Sequence, residues 1–433
     1  DGVTVGQRLS VGAGLLMTLL VISPDYASHY GPLAVLARAA QQDGRRVVVA
    51  TGKSIQSRVK AEGFEWRELN LAASSNSGVV TKSPSIERFL AATRRGPLDT
   101  IRYQAMQRQT DLLWEPERVV DSITTLYRDL EPNEVLVDHV SFGSTLAMYA
   151  IGGSFMTLVP GHPSQLPTSK ERYGIPAEWP ACMRPDPEQL RDVERLADSV
   201  TAVFTERWNS TLAAVAPERP SVEDAFRVHG HRVLYNSVSS HHSSARALDL
   251  NSDHRFVGPL VREETLPKNM DWWRDQKDNR PRIYVALGTF LSHRVDVLIC
   301  IAEALREIGA RAAMAIGSMS ERDLGPVPDD WIVSRELPQV AMLRYADLAI
   351  HHGGNNSVQE CLGAGARQLV LPFSTDQFAN AADLERAGVA SVLPPNEMST
   401  TELVEAILSR LDTVKPKPES RMTKDSVIEA LFE

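Results

Sequence analysis

The 433-residue chain holds only three cysteines, Cys182, Cys300 and Cys361, far apart and without a C-x-x-C pair. That scarcity excludes a disulfide framework and a cysteine-based zinc site; the expectation is buried free thiols in a reducing, cytoplasmic setting. Positive charge is also short: 46 Lys and Arg stand against 55 Asp and Glu, for a net charge of −9. With no dense basic run to grip a phosphate chain, a nucleic-acid partner is excluded. No apolar run reaches the roughly 20 residues of a membrane-spanning helix, so stable membrane insertion is not expected. The apolar stretch 9–22 lacks the basic flank and the small-residue cleavage site of a signal peptide. Its second half, 17–22, reads as a buried strand. Met17 can serve as a start, which would make residues 1–16 an upstream extension, and they are set aside. Also missing is G-x-G-x-x-G: Ser23-Pro24-Asp25-Tyr26-Ala27-Ser28 follows the first strand, which argues against a dinucleotide-dependent dehydrogenase.

What is present is strand–helix alternation in two blocks. The first block has short apolar runs at 17–22, 46–50, 135–137 and 155–159, with helical patterns at 31–42, 98–130 and 187–214. The second has runs at 282–287, 312–316, 331–333, 348–350, 368–371 and 389–392, with helices at 295–308, 356–364 and 400–411. Apolar strands separated by amphipathic helices predict parallel sheets covered on both faces. Charged residues from Arg262 to Arg280, with few apolar ones besides Trp272-Trp273, mark a linker. The predicted organisation is an N-terminal domain over 1–262, a linker over 263–281, a second doubly wound domain over 282–412 and a helical tail over 413–433. Two such domains place the carboxyl ends of both sheets on one cleft.

The densest chemistry lies at His352-Gly353-Gly354-Asn355-Asn356-Ser357-Val358-Gln359-Glu360, after a strand and opening a helix. The glycines allow close backbone approach, and the free N–H groups of a helix start favour an anion. His352, Asn356 and Ser357 add side-chain donors, and Glu360 sits where a carboxylate can accept from ribose hydroxyls. A polar, capped first turn explains the same residues without a ligand. Downstream, Asp376-Gln377 begins the next helix, with Asn380 one turn on. A carboxylate beside an amide suits vicinal sugar hydroxyls, whereas a cap needs only one of them. His229-Gly230-His231 and His241-His242 lack a supporting carboxylate or cysteine, so no metal site is expected.

His352-x-Gly354-x-Asn356-Ser357-x-x-Glu360, followed by Gly365, Pro372 and Asp376-Gln377-x-x-Asn380, resembles the signature of UDP-glycosyltransferases, in particular the bacterial branch acting on macrolides and other natural products. The resemblance is dense over 282–412 and sparse before it. It implies a GT-B fold of two Rossmann-like domains and an inverting, metal-free transfer with no cofactor beyond the nucleotide-sugar co-substrate. By position, His352, Gly354, Asn356 and Ser357 would meet the pyrophosphate, Glu360 the ribose, and Asp376 and Gln377 the sugar. Gly288-Thr289 would be the family's phosphate-contacting pair, His293 a further neighbour of the phosphates, and Phe256-Val257-Gly258-Pro259-Leu260 the motif before the linker. His29-Tyr30-Gly31-Pro32 matches the family's His-x-x-Pro, with His29 as base, and Asp138 the carboxylate orienting it. One departure stands out: Glu336-Leu337-Pro338-Gln339 puts Glu336 where the family stacks a Trp on the base, which leaves Arg335 as an alternative stacking group.

The reading is therefore transfer of a hexose from a nucleoside-diphosphate sugar, UDP before dTDP, to a hydroxyl of a small hydrophobic acceptor, by a monomer or homodimer. The stretches 71–84 and 161–187 are read as mobile loops over the acceptor cleft. Rival readings are a nucleotide-sugar epimerase, which would need carboxylate acid–base groups around the sugar, a lipid-linked-sugar transferase, and a non-catalytic GT-B-like partner protein.

Overall fold

The computed structural model describes residues 17–72, 84–241, 253–275 and 278–433. Strands β1 (Thr18–Ile22), β2 (Arg46–Thr51), β3 (Glu65–Glu68), β4 (Glu134–Asp138), β5 (Met156–Val159), β6 (Arg232–Tyr235) and β7 (His254–Phe256) form one sheet in the order β3-β2-β1-β4-β5-β6-β7. Strands β8 (Arg282–Ala286), β9 (Arg311–Ala315), β10 (Ile332–Ser334), β11 (Leu348–His351), β12 (Arg367–Val370) and β13 (Ala390–Val392) form a second, ordered β10-β9-β8-β11-β12-β13. All pairings are parallel. The helices that carry the site or tie the two domains and the tail together are α1 (Ala27–Gln42), α2 (Pro84–Arg95), α3 (Asn355–Ala364), α4 (Thr375–Arg386) and α5 (Lys424–Phe432).

Parallel strands must be covered on both faces, and β1 shows how the sequence meets that demand. All five of its residues are buried. Successive side chains point to opposite faces: Leu20 and Ile22 pack with Val48, Val135, Val137 and Trp208, while Leu19 and Val21 pack with Leu33, Leu36 and Ala40 of α1. In the second sheet Ile283 and Val285 face Val297 and Ile301, and Tyr284 and Ala286 face Trp273 and Met342. Strand order reverses between β1 and β4 and between β8 and β11. Such switch points open a crevice at the carboxyl ends of their strands, where ligands bind.

Strands β3, β6 and β7 were not legible in sequence. β3 (EWRE) and β7 (HRF) are sheet edges, where charged residues are tolerated because one side of the strand meets solvent. The 263–281 stretch packs onto the second domain: Trp273 is fully buried and its Nε1–H donates to the Met342 carbonyl at 3.0 Å. Cys361 is buried as expected, but Cys182 is exposed, because its short 3-10 turn runs along the surface.

The two domains interlock. Phe378 of α4 is buried among Leu98, Ile101, Ile175, Val193 and Ala197 of the first domain and stacks on Trp179 at 5.0 Å. The segment 161–187, expected to be a loose loop, provides much of this contact: His162 Nε2 lies 3.1 Å from Asp383 Oδ2, and the Ala181 N–H donates to Glu385. Its tie is packing against α4, which the first domain's sequence alone does not display. The other stretch read as a mobile loop, 71–84, lies largely outside the described residues. A second tie is Arg294, 1% exposed, bound to Asp296 and Asn396 and to Thr93 of α2. The chain then returns to its start, where Val427, Ala430 and Leu431 of α5 share a core with α1. No helix of the described residues is long and apolar enough to cross a membrane.

Candidate active site

On the first domain, His29 sits in the first turn of α1, just after β1, and Asp138 ends β4, so the β1/β4 switch point brings them together. His29 Nδ1 lies 3.0 Å from Asp138 Oδ2, and Asp138 Oδ1 accepts from the Val140 N–H at 3.0 Å. Asp138 is fully buried, while the His29 side chain keeps 23% exposure. Burial alone would lower the imidazole pKa, but the charge and hydrogen bond of Asp138, with Asp376 adding to them, leave it above its ordinary value. With Nδ1 held by Asp138, Nε2 is the nitrogen left to take a proton. The neighbouring His139 is different: burial pushes it down to about 4, and its Nε2 lies 2.8 Å from the Gln165 carbonyl oxygen, so it is a neutral structural residue.

On the second domain, the β8/β11 switch point gathers Gly288, Thr289 and His352. Two glycines clasp the His352 ring. A Cβ at Gly288 would stand 2.8 Å from its Cε1, and one at Gly354 2.4 Å from its Nε2. Gly288 also has φ +76°, a conformation that disfavours any side chain. Burial, and the adjacent His351, drive His352 down to about 3, against a weaker opposing effect of the Ala286 carbonyl. Its Nδ1 is buried and unpartnered. A neutral imidazole with an unused nitrogen stands beside the start of α3, whose first N–H groups lack intrahelical partners.

Glu360, one turn further, is 7% exposed, and each of its oxygens accepts one bond: Arg262 Nη1 donates to Oε1 at 2.7 Å and Gln339 Nε2 to Oε2 at 2.5 Å. Burial raises its pKa, and the Arg262 charge opposes this most strongly. Gln339 also donates to Ser357 Oγ at 3.2 Å and accepts from the Tyr284 hydroxyl at 3.2 Å. Arg262 and Tyr284 were missed in the sequence; Arg262 was read as linker charge and Tyr284 as strand interior.

Two expected donor residues, Gln377 and Asn356, take structural partners, as does Asn380 of the same motif. Gln377 Oε1 accepts from the Phe373 and Ser374 N–H groups in a capping box, so the amide serves the helix cap and only its nitrogen is left for a ligand. Asn356 Nδ2 donates across the cleft to the Ser28 carbonyl at 2.7 Å. Asn380 Nδ2 holds the Gly353 carbonyl at 2.9 Å, fixing the glycine turn. Asp376 faces a small cavity with Ser164, Gln165 and Tyr173.

One cleft of about 440 Å³ joins the two halves. Ser28, Gly31, Pro32 and Arg58 line it from the first domain, and Gly288, Thr289, His293, Asn356 and Glu360 from the second. Arg335 and Glu336 line it too, at the base-stacking position of the resemblance. His293 is bonded through Nε2 to the Ser318 hydroxyl at 2.9 Å. Among the described residues no group of three or more His, Cys, Asp or Glu side chains gathers to hold a metal ion; His231 instead pairs with Ser154 and His241 with Glu419, while His242 lies outside the described residues.

Residues 180–427, more than half of the chain, match the family described as UDP-glucoronosyl and UDP-glucosyl transferase. The NDP-glycosyltransferase YjiC of Bacillus subtilis (strain 168) is 23% identical over 385 residues, covering 89% of this chain and 86% of that protein. An uncharacterized UDP-glucosyltransferase of the same organism, YojK, is 27% identical over 190 residues, and the match spans 41% of this chain and only 46% of its length. For the demethyllactenocin mycarosyltransferase of Streptomyces fradiae the match is 28% over 161 residues, 37% of this chain and 34% of that protein. Among solved structures, the glycotransferase of kitacinnamycin superposes with a TM-score of 0.67 at 18% identity over 96% of this chain and 94% of that one. The spinosyn rhamnosyltransferase SpnG complexed with thymidine diphosphate gives 0.61 at 17%, over 96% and 95%. These likenesses establish the GT-B fold, and with the family match they lead to one conclusion: the chain belongs to the UDP-glycosyltransferase family and is a glycosyltransferase related to those of natural-product pathways.

Proposed function

We propose that the protein transfers a hexose, with inversion and without a metal, from a nucleoside-diphosphate sugar to a hydroxyl of a small hydrophobic acceptor. The observation that carries this reading is the His29–Asp138 pair at one switch point, adjoining Ser28 on one wall of a cleft whose other wall carries Gly288, Thr289 and Asn356, neighbours of His352 at the other switch point. The acceptor hydroxyl gives its proton to His29 Nε2 while its oxygen attacks the anomeric carbon. The bond from that carbon to the diphosphate oxygen breaks, and the new glycosidic bond forms on the opposite face. Asp138 stabilises the imidazolium. The departing negative charge meets the backbone N–H groups of Asn356 and Ser357, the Ser357 hydroxyl, Thr289 and neutral His352. Preorganised dipoles of this kind supply the stabilisation that a divalent cation would otherwise bring.

Glu360 faces the cleft with lone pairs to spare beyond its bonds to Arg262 and Gln339, which suits two ribose hydroxyls and so a uridine donor. Asp376, close enough to act on His29, suits the hydroxyls of a hexose. A thymidine diphosphate donor is the second reading, because SpnG is solved with that nucleotide and Glu336 replaces the usual stacking aromatic.

The test is a panel of UDP-glucose, dTDP-glucose and a dTDP-2,6-dideoxyhexose with a phenolic acceptor in excess EDTA, read as nucleoside-diphosphate release and product anomeric configuration. The expected result is inverted glucoside from UDP-glucose, undiminished by EDTA. Loss of activity on chelation or retained configuration would overturn the mechanism, and preference for the dideoxy donor would overturn the sugar assignment.

A further inference from the structure

The tip of α3 is tied to the first domain through two successive side-chain amides. Asn355 Nδ2 donates to the carbonyls of Pro160 at 2.8 Å and Asn236 at 2.7 Å, and Asn356 Nδ2 to that of Ser28 at 2.7 Å. These carbonyls belong to segments that leave the carboxyl ends of β5, β6 and β1.

The Ser28 carbonyl is free to receive an outside donor for a definable reason. Inside a helix it would accept from the N–H four residues on. That residue is Pro32, which lies within α1 and has no N–H. An amide from the other domain therefore fills the gap that the proline leaves. Moreover, the Ser28 carbonyl is part of the peptide unit that joins Ser28 to His29, so the Asn356 bond fixes the plane from which the His29 side chain departs.

We propose that Asn356 is a positioning residue for the proposed base, tying the peptide of His29 to the helix that receives the leaving diphosphate. The proposal rests on the reading of His29 as base. It separates the two parts of Asn356: the backbone N–H faces the diphosphate, and the side-chain amide holds the first domain in register with it. Proline in the His-x-x-Pro stretch then has a specific task, which is to keep the Ser28 carbonyl unclaimed by its own helix. Asn355, buried and bonded to two further carbonyls, holds the same helix tip and keeps the geometry when Asn356 is altered.

The test compares Asn356→Ala, Pro32→Ala and the double variant. Three readings are taken: kcat at saturating donor, UDP affinity by calorimetry, and the His29 ring titration by NMR. In Asn356→Ala, kcat is expected to fall about tenfold, UDP affinity to stay within about threefold, and the His29 titration midpoint to drop as its contact with Asp138 loosens. Pro32→Ala offers the same carbonyl an intrahelical N–H, so the double variant should lose no more than Asn356→Ala alone. A tenfold weaker UDP affinity with kcat preserved would overturn the proposal, as would losses in the two variants that multiply independently. The His29 titration requires no turnover, so an unchanged midpoint counts against the proposal even if none of the donors is used, a result that would separately count against the function reading.

Discussion

Replacing Asp138 by Asn probes the base pair while keeping its shape. The amide can retain the contact that Oδ1 makes with the Val140 N–H, so the strand end should hold. What disappears is the buried negative charge 3.0 Å from His29 Nδ1. In the wild type that charge and hydrogen bond outweigh the effect of burial and hold His29 above its ordinary value. With them gone, burial dominates and the midpoint should fall below its ordinary value, which moves the acid limb of kcat/KM to lower pH. The base is active when neutral, so wild-type kcat/KM rises with pH through its raised midpoint, and the variant reaches its plateau at lower pH. The plateau itself should drop about 10²- to 10⁴-fold, because the imidazolium of the transition state loses its counter-charge and the correct tautomer is no longer enforced. Stability follows the same sign. A raised histidine contributes fully below its unfolded pKa and loses that contribution as pH rises through the folded one, so the variant should be destabilised more at pH 5.5 than at pH 8.5. The assay is kcat/KM from pH 5 to 9 at saturating acceptor. An acid limb at its wild-type position, or a plateau within threefold of wild type, would refute the reasoning.

Three further outcomes follow from the second domain. His352→Ala and Ser357→Ala should each weaken UDP binding by about 1–3 kcal/mol in calorimetry, and unchanged affinity in both would remove the diphosphate site. Gly354→Ala puts a Cβ 2.4 Å from His352 Nε2, so UDP affinity should fall about tenfold while the melting temperature changes little; unaltered binding would show that the ring position does not matter. Arg294→Ala removes the buried guanidinium that joins exposed Asp296, Asn396 and Thr93, so a loss of about 1–3 kcal/mol is expected in denaturant unfolding, and an unchanged unfolding midpoint would show the clamp is dispensable.

How much of this was legible in sequence depended on whether a residue's role is local. The buried strands β1, β8 and β11 announced themselves because both faces are covered and nearly every position is apolar. The glycine-histidine turn was legible for the same reason: close packing permits only glycine beside the ring. Edge strands β3 and β7 were invisible because solvent on one side relaxes that demand. The site's partners across the chain were the hardest part. Arg262 and Glu360 are separated by 98 residues and His162 and Asp383 by 221, and neither pair has a local pattern. Gln377 is instructive, since its place in the motif suggested a sugar contact while its carbonyl oxygen turned out to close a capping box. Asn356 shows the converse, a donor-helix residue whose amide reaches the base-bearing helix over 328 residues of sequence.

The measurement that bears most directly on the central claim, a base on the first domain and a donor site on the second, is His29→Ala assayed with UDP-glucose and a phenolic acceptor beside calorimetry with UDP. The account predicts a kcat at least about a hundredfold below wild type with UDP affinity within about twofold, because His29 acts on the acceptor and belongs to the first domain, whereas the diphosphate site belongs to the second. A variant that keeps more than about a tenth of wild-type kcat, or one that loses UDP affinity along with turnover, would contradict it.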